Sequence, residues 1–494
     1  MAEKVIGKLS IDELATFCKR KGLVFRSSEI YGGFSGFWDY GPSGVELFQN
    51  LKQDFWKWFV QRREDVVGIE ASIISHPRTW RASGHLASFA DIAVICKKCK
   101  KATKIGPLEL GKAVCPDCGG ELASQGAFNL MFKTSVGALN PTDAYLRGET
   151  AQAMFMDFKQ IAETSRMQLP FGVVQIGRCF RNEIAPRDFL FRSREFTIAE
   201  FEFFIHPEEK KCEKLDSKHK SVKIKLLDAE TQEKGKDTLK QTTIGEMVKA
   251  SKLDEWHGYW LAEQVMWFEH LGIADKIKIR EHMKDELSHY SSATFDLDYE
   301  FPFGSKEIAG NANRGQYDLT QHQKESGQKI DVFDESSKKR IVPKVIEPTF
   351  GMDRVFLALL CSAYTPDTKR ENVVLRLPRF LAPVKAAIFP LISKGPSMDL
   401  ARHIQEYLRE DFAVAFDASG SIGRRYARQD EAGTPYCITV DEDSLKDKAV
   451  TIRDRDTTKQ IRVKVDDLQE TLRMLISGKL AFEKAGKVVE TRVK

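Results

Sequence analysis

VVQIGRCFRNEIAPRDFLFRSREFTIAEFEFF, running from Val173 to Phe204, is the stretch from which the architecture is read. An apolar run ends at Cys179-Phe180, a Pro-containing segment from Ile184 to Ser193 turns the chain, and a second run rich in aromatic and β-branched residues returns from Arg194. That is the pattern of a long antiparallel hairpin. Side chains on a strand alternate faces, so Arg181 and Glu183 are expected on one face and Phe180 and Asn182 on the other. Arg181, Arg187, Arg192 and Arg194 crowd the turn end beside Glu183 and Glu195. Planar, permanently charged guanidinium forks match phosphate and carboxylate oxygens, which points to a bound polyphosphate; a solvated tip of mixed charge is the competing reading.

Around this hairpin lies enough chain for two or three domains. The 494 residues are 42% apolar and 30% charged, an ordinary globular composition, and 76 Lys+Arg against 71 Asp+Glu leave a net charge of +5. A nucleic-acid contact would therefore come from local patches. No run of 18 apolar residues occurs, and MAEKVIGKLSIDELATFCKRKG alternates charged and apolar groups as an amphipathic helix does. We expect no membrane span or signal peptide and a cytoplasmic protein whose nine cysteines stay reduced.

Upstream, SEIYGGFSGFWDYGP, from Ser28 to Pro42, is dense in glycine and aromatics and is either a packed loop or a ligand contact. Ser43 and Glu46 form a capping-box pattern before a helix striped with Phe48, Leu51, Phe55, Trp58 and Phe59. Cys96, Cys99, Cys115 and Cys118 are two CxxC pairs, able to set four thiolates around Zn²⁺ at ~2.3 Å. Disulfides are the alternative. A closed four-sulfur site has no position for substrate, so the metal is expected to be structural, with Lys97, Lys98, Lys100, Lys101 and Lys104 near enough to offset its negative charge or touch a phosphate backbone. Arg147-Gly148-Glu149-Thr150 opens a helix-like stretch.

Downstream, residues 207–292 begin rich in Lys and Glu and are read as a solvated surface excursion, followed by a helix candidate from Trp256 to Leu271. Strand character returns in ATFDLDYEFPF, from Ala293 to Phe303, and KEIAGNAN follows at Lys306 to Asn313. VIEPTFGMDR, from Val345 to Arg354, reads as a strand ending at Pro348 and a helix starting near Gly351, with Arg354 in its first turn, where amide groups and an arginine suit a polyphosphate. After Ala382-Pro383, short strands alternate with helices, the pattern of a separate α/β domain.

Several of these words closely resemble class II aminoacyl-tRNA synthetases, and in detail the homodimeric glycyl enzymes of subclass IIa. Phe180 to Glu183 with Phe191 to Glu200 is similar to motif 2, the helix after Pro42 to motif 1, Val345 to Arg354 to motif 3, and the run Gly420 to Asp430 to the anticodon-binding domain. The resemblance covers essentially the whole chain. It implies an α+β fold: an antiparallel catalytic sheet flanked by helices over residues 1–382, with motif 1 at about 40–75, a four-cysteine, zinc-ribbon-like insertion at about 94–122, motif 2 at about 173–205, an insertion at about 207–292 and motif 3 at about 345–362. The resemblance would set the 207–292 insertion near the tRNA acceptor arm, the alternative to a solvated excursion, and an α/β anticodon-binding domain would occupy 383–494. No GxxxxGK[ST] or GxGxxG segment contradicts it.

The reaction implied is ATP-dependent attachment of glycine to tRNA(Gly) through glycyl-adenylate, releasing AMP and pyrophosphate. Some such ligases also make diadenosine tetraphosphate. By resemblance, Arg181 and Arg354 are the catalytic cations. Asn182, Glu183, Phe191, Arg192, Ser193, Arg194, Glu307, Ile308 and Gly351 would join them around ATP and Mg²⁺. Glu149, Glu200 and Glu347 would surround the glycine ammonium, with Phe196, Thr197, Ile198, Ala199, Pro348 and Thr349 closing the pocket. Gly148 stands where the family often has Pro, and Thr349 where it usually has Ser. Arg424, Arg425, Tyr426 and Arg428 would meet tRNA, since aromatic and guanidinium planes stack on unpaired bases. Another class IIa synthetase, or a catalytically silent synthetase-like nucleic-acid-binding subunit, remains the alternative; a plain zinc-ribbon RNA-binding protein would leave the motif words unexplained.

Overall fold

The computed structural model describes residues 9–105, 111, 113–287, 291–335 and 337–489. The first eight residues of the expected amino-terminal helix, and parts of the zinc segment, the 207–292 segment and the final domain, lie outside the described residues; the helix itself runs Ile11–Arg20, capped by Ser10. Two compact units divide the chain, one formed by Arg26–Trp38 with Phe55–Leu357 and the other by the remainder.

The strands of the larger unit that matter here are β1 (Val66–Gly68), β2 (Ala90–Cys96), β3 (Ala102–Ile105), β4 (Leu122–Asn129), β5 (Phe171–Phe180), β6 (Glu195–Ile205), β7 (Lys223–Leu227), β8 (Lys240–Thr243), β9 (Ile277–Glu281), β10 (Ala293–Phe301), β11 (Gly304–Gly315) and β12 (Lys344–Gly351). Nine form one sheet in the order β8-β7-β9-β10-β11-β12-β6-β5-β1, antiparallel except at β7–β9 and β5–β1. The other three, β3-β2-β4, make a small ribbon. The hairpin is β5 and β6, paired from Phe171↔Phe204 to Phe180↔Glu195. Its ladder stops at Phe180, so Arg181 to Glu183 belong to the turn and strand alternation does not orient them.

Aromatic packing holds the sheet on both faces. Phe204 and Phe171 pack on Phe158, which follows helix α1 (Ala151–Met156). On the opposite face Phe201 and Phe203 meet Trp260 of helix α2 (Glu255–His270), with ring centroids 4.3 and 4.9 Å apart. Burying one such ring removes about 150–250 Å² from water, at most roughly 4–6 kcal/mol. Every residue of α2 from Trp256 to Phe268 is buried.

This corrects the reading of 207–292 as a solvated excursion: the segment supplies β7, β8 and β9 to the sheet edge and lays α2 across β11 and β12. Ile224, Leu226 and Leu227 of β7 are buried beside exposed or half-exposed lysines, and Glu263 of α2 is itself buried. The expected capping box also differs, because the helix Pro42–Trp56 begins at Pro42, a residue suited to a first turn, leaving Ser43 and Glu46 inside it. Of its aromatic stripe, Phe55 and the following Phe59 pack on Trp267 and Phe350 in the chain's own core.

Strand β12 does not end at Pro348 but runs on to Gly351, and helices α3 (Tyr317–Ser326) and α4 (Met352–Ala363) flank it in sequence. Proline has no amide to donate, and the β6–β12 ladder shows the consequence. It pairs Glu200↔Thr349 and resumes only at Phe203↔Ile346.

In the second unit, strands β13 (Ala386–Pro390), β14 (Val414–Phe416), β15 (Tyr436–Val440), β16 (Ala449–Asp454), β17 (Gln460–Lys464) and β18 (Lys487–Val489) form a mixed sheet, with β13 parallel to β14 and β15. Helices α5 (Pro396–Arg409), α6 (Ile422–Ala432) and α7 (Leu468–Ile476) accompany it. Ile388, Ile404, Leu408, Ile438, Ile452 and Leu472 are its core, as the alternating pattern predicts. Among the described residues no helix is long and apolar enough to cross a membrane.

Candidate functional site

A cavity of about 110 Å³ opens where the hairpin turn meets the sheet. Arg181, Glu183, Phe191, Arg192 and Ser193 reach it from the turn, and Phe196, Thr197, Ile198 and Glu200 from β6. Glu307 comes from β11, Thr349 and Gly351 from β12, and Arg354 from the first turn of α4. Three distant segments, residues 181–200, Glu307 and 349–354, thus converge because β6, β12 and β11 are sheet neighbours. Leu190 and Asp353 also line the cavity; Asp353 accepts the Thr197 amide and fixes α4 to β6.

Arg181 is held without being neutralised. Its Nε donates to the Gly148 carbonyl at 3.1 Å, and its guanidinium carbon lies 5.2 Å from the Phe89 ring centroid and 5.3 Å from that of Phe196. Ring faces attract a cation without cancelling its charge. Arg354 stacks 4.5 Å over Phe191 and donates through Nη1 to the Glu307 carbonyl at 3.0 Å, with a Glu307 carboxylate oxygen at 3.1 Å. Glu183 Oε2 makes no hydrogen bond and stands between Lys104 at 3.7 Å and Arg192 at 3.9 Å.

Other expected members lie outside the cavity. Arg194 fastens the turn, donating to Glu183 and Ser35 carbonyls through its side chain and to Gly36 through its amide. Gly36 has φ +81°, and a Cβ there would fall 2.8 Å from Pro186, so only glycine fits. The Asn182 amide bonds the Leu130 carbonyl. Ala199 and Ile308 are fully buried, and Pro348 pairs with Asn311 across β11.

Behind Glu200 is a buried carboxyl cluster. Thr150 donates to Glu200 through both amide and hydroxyl. Glu149 meets His85 at 3.3 Å and Gln152 at 2.8 Å; Glu347 accepts from Arg314 at 2.7 Å. Arg314, 2% exposed, also binds Asp318 through two bonds. The Gln152 amide nitrogen links Asp318 to Glu149, while its oxygen accepts from His322 at 2.7 Å. Glu149 and Glu347 therefore do not line the cavity but share one network beside it. Burial would raise the Glu149 carboxyl, yet His85, Arg314 and Gln152 outweigh it and hold it well below the usual range. Burial lifts Glu347 to about 8, and burial together with the Glu149 charge raises Glu200. Glu149, Glu200, Glu202, Asp318 and Glu347 gather around Arg314, a surrounding suited to a further cation.

His85, Phe89, Gln152, Arg314, Asp318 and His322 were not singled out from the sequence.

The four cysteines of the ribbon come together. Cys96 and Cys118 sulfurs are 3.5 Å apart, those of Cys99 and Cys115 3.6 Å, and all four lie within 4.8 Å of one another. Thiolates on tetrahedral Zn²⁺ would be about 3.8 Å apart, so the set fits. Gly120 is required by close approach, since a Cβ there would meet Cys96 Sγ at 2.9 Å. Three of the nearby lysines also meet carboxylates: Lys97 pairs with Glu121, Lys101 with Asp117 at 3.2 Å, and Lys104 with Asp91.

On α6 the four expected RNA-facing residues separate. Arg424 is exposed. Arg428 is exposed but bound to Asp417 and the Ser419 carbonyl. Arg425 is 4% exposed and donates to the carbonyls of Pro390, Ala418 and Gly420, while the Tyr426 hydroxyl bonds Thr439 at 2.7 Å. These two are turned inward, since helical spacing gives Arg425 and Tyr426 to the face packed on the sheet.

Residues 385–475 match the family described as the anticodon binding domain. Across 97% of this chain and 77% of the other, the fold is shared with prolyl-tRNA synthetase from Cryptosporidium parvum, solved with L-proline and AMP, at a TM-score of 0.57 and 14% identity. What the sheet and its cavity define is an aminoacyl-tRNA synthetase of class II. Glycine–tRNA ligase of Treponema denticola is 41% identical over 473 residues, covering 92% of this chain and 95% of the relative. That of Thermobifida fusca is 39% identical over 498 residues, covering 95% and 98%. The chain belongs to the glycine–tRNA ligase family.

Proposed function

We propose that this enzyme attaches glycine to tRNA(Gly) in two steps within the cavity. In the first, a glycine carboxylate oxygen attacks the α-phosphorus of ATP, and the bond to pyrophosphate breaks. In the second, a hydroxyl of the terminal tRNA ribose attacks the carbonyl of glycyl-adenylate and AMP leaves. When a γ-phosphate oxygen of a second ATP attacks the phosphorus of the same adenylate, glycine leaves and diadenosine tetraphosphate forms. No side-chain nucleophile takes part, so catalysis is orientation and charge stabilisation.

Arg181 faces the α-phosphate and the glycine carboxylate, and stabilises charge gathering on phosphorus. Glu183, Phe191, Arg192 and Arg354 hold adenine and the bent triphosphate, and Arg194 and Asn182 fix the turn that carries them. Mg²⁺ bound with ATP would disperse phosphate charge, and Glu307 would help hold it. Glu200 receives the glycine ammonium, with Glu149 and Glu347 setting the field behind it and Thr349 occupying the space a side chain would need. Zn²⁺ on Cys96, Cys99, Cys115 and Cys118 cross-links the ribbon. Residues 1–382 form the catalytic part and 383–494 the anticodon-reading part, where Arg424 and Arg428 offer the exposed cations. The enzyme works as a cytoplasmic homodimer.

The observation that carries this reading is one cavity that holds both a cation with no ion pair among the described residues, Arg181, and a buried carboxyl, Glu200. A zwitterion next to a phosphate needs that pairing. Exchange of labelled pyrophosphate into ATP, tested with each of the twenty amino acids, checks it. Exchange with glycine alone, abolished by Arg181→Ala, is expected. Exchange with another amino acid overturns the glycine assignment, and none at all favours a silent RNA-binding subunit.

A further inference from the structure

We propose that Phe89 is a positioning residue for Arg181 and that the four-cysteine ribbon holds it there; this rests on the reading of Arg181 as the cation at the α-phosphate. An arginine side chain is long and loses much rotamer freedom when fixed. A carboxylate could fix it, but would compete with the phosphate for the same charge. Arg181 is fixed otherwise: one carbonyl on Nε, and two ring faces at 5.2 and 5.3 Å. Phe196 comes with the hairpin itself, opposite Cys179 on the neighbouring strand. Phe89 comes from elsewhere, and its place has to be set independently.

Three backbone contacts set it. The Phe89 amide closes the short helix His85–Ser88 by bonding the His85 carbonyl at 3.1 Å. Its carbonyl accepts from the Leu130 amide at 3.0 Å, and the Leu130 carbonyl accepts from the Asn182 amide at 2.8 Å, next to Arg181. Asn129 ties the same corner by donating to the carbonyls of His85 and Leu86. Leu130 follows β4 directly and Phe89 precedes β2 directly. These strands pair from Ala90↔Asn129 to Cys96↔Leu122 across a one-residue bulge between Ala93 and Val94, so one ladder carries Phe89 beside Leu130 at one end and Cys96 toward the Cys115–Cys118 knuckle at the other. Lys104 on β3, 3.7 Å from Glu183, is a second point at which the ribbon meets the turn.

The test compares Phe89→Leu, which keeps an apolar side chain but loses the ring, with Phe89→Tyr, which keeps the ring, in glycine-dependent pyrophosphate exchange. Zinc per chain and melting temperature are read on the same samples, and Arg181→Ala is run beside them. Phe89→Leu is expected to lower kcat about 10-fold, the scale of one desolvated cation–π contact, with KM for ATP changed less than about threefold and zinc content unchanged. Phe89→Tyr should return kcat to within about threefold of the parent. An unaltered kcat in Phe89→Leu overturns the proposal. So does equal impairment of both variants with loss of zinc or melting temperature, which would mark a purely structural ring. Full activity in Arg181→Ala overturns the underlying reading of Arg181, and the positioning role falls with it.

Discussion

Glu202 and Glu347 stand opposite each other across the interruption that Pro348 makes in the β6–β12 ladder. Glu202 is fully buried and neither of its carboxyl oxygens has a hydrogen-bond partner, whereas Glu347 has Arg314. Burial and the neighbouring Glu347 push the Glu202 carboxyl well above its ordinary value, so it keeps its proton in the folded enzyme.

Stability should therefore fall as pH rises. Unfolded, both carboxyls titrate near 4.5; folded, Glu347 does so at about 8 and Glu202 well above the ordinary range. Between these values the folded state binds more protons, so this contribution is complete below pH 4.5 and drains away as pH climbs through the folded values. Glu202→Gln keeps the shape and has no proton to lose. Urea midpoints at mildly acid and mildly alkaline pH should differ less in the variant than in the parent. Parallel declines would sink the idea that Glu202 is protonated.

Arg314→Met should be costly for the complementary reason. It leaves Asp318 buried without the cation that holds it through two bonds, a change worth about 3–5 kcal/mol when one partner of a buried pair is removed. Adding Asp318→Asn should recover part of the loss in urea unfolding at neutral pH. A double variant no more stable than Arg314→Met would put the cost in lost packing against Phe155 instead.

Cys115→Ser should release about one zinc per chain and lower the melting temperature, because the ribbon has little apolar core: most of β4 is exposed or half-exposed. Metal analysis and thermal melting in the same buffer check both. Unchanged metal content would rule out the tetrathiolate.

Much of this molecule was legible because its chemistry is local in sequence. The hairpin needs only two apolar runs and a turn, the ribbon only two CxxC pairs, and Arg354 only a helix start. What escaped depends on partners far along the chain. Phe89 acquires its meaning from Arg181, 92 positions later, and His85 from Glu149. Helix α2 was placed, but a helix apolar on most sides reads the same whether it lies on a sheet or closes a surface excursion. Arg425 illustrates the limit for charges: composition cannot tell an arginine that meets solvent from one that binds three carbonyls.

Thr349→Ser tests where specificity against alanine comes from. Thr349 lines the cavity next to Glu200 in the ladder, and its methyl group is the atom serine lacks. Removing one methyl from a pocket wall typically changes discrimination by about 10-fold or somewhat more. The ratio of kcat/KM for glycine over alanine should fall by about that factor, with glycine itself changed less than about threefold. A ratio that does not move places the exclusion of a side chain on the surrounding backbone.

Phe191 and Arg354 make the last prediction. Guanidinium and ring lie 4.5 Å apart, in direct contact, at the mouth of the cavity. A flat base seated between them needs about 7 Å, so binding adenine has to part the two and replace their contact with two of its own. Arg354 is tethered by the Glu307 carbonyl and carboxylate and, through Nε, to the Phe191 carbonyl at 3.3 Å, which leaves the ring of Phe191, and not its backbone, as the side that yields. Phe191→Leu removes the stacking face but not the tether. Its KM for ATP should rise about 10-fold, the value of one lost base–aromatic stack, while KM for glycine stays within about twofold. Arg354→Met should do more, raising KM for ATP and lowering kcat together, since it removes a cation as well as a face. An equal rise of both KM values in Phe191→Leu would show that the ring supports the whole cavity and not the adenine alone.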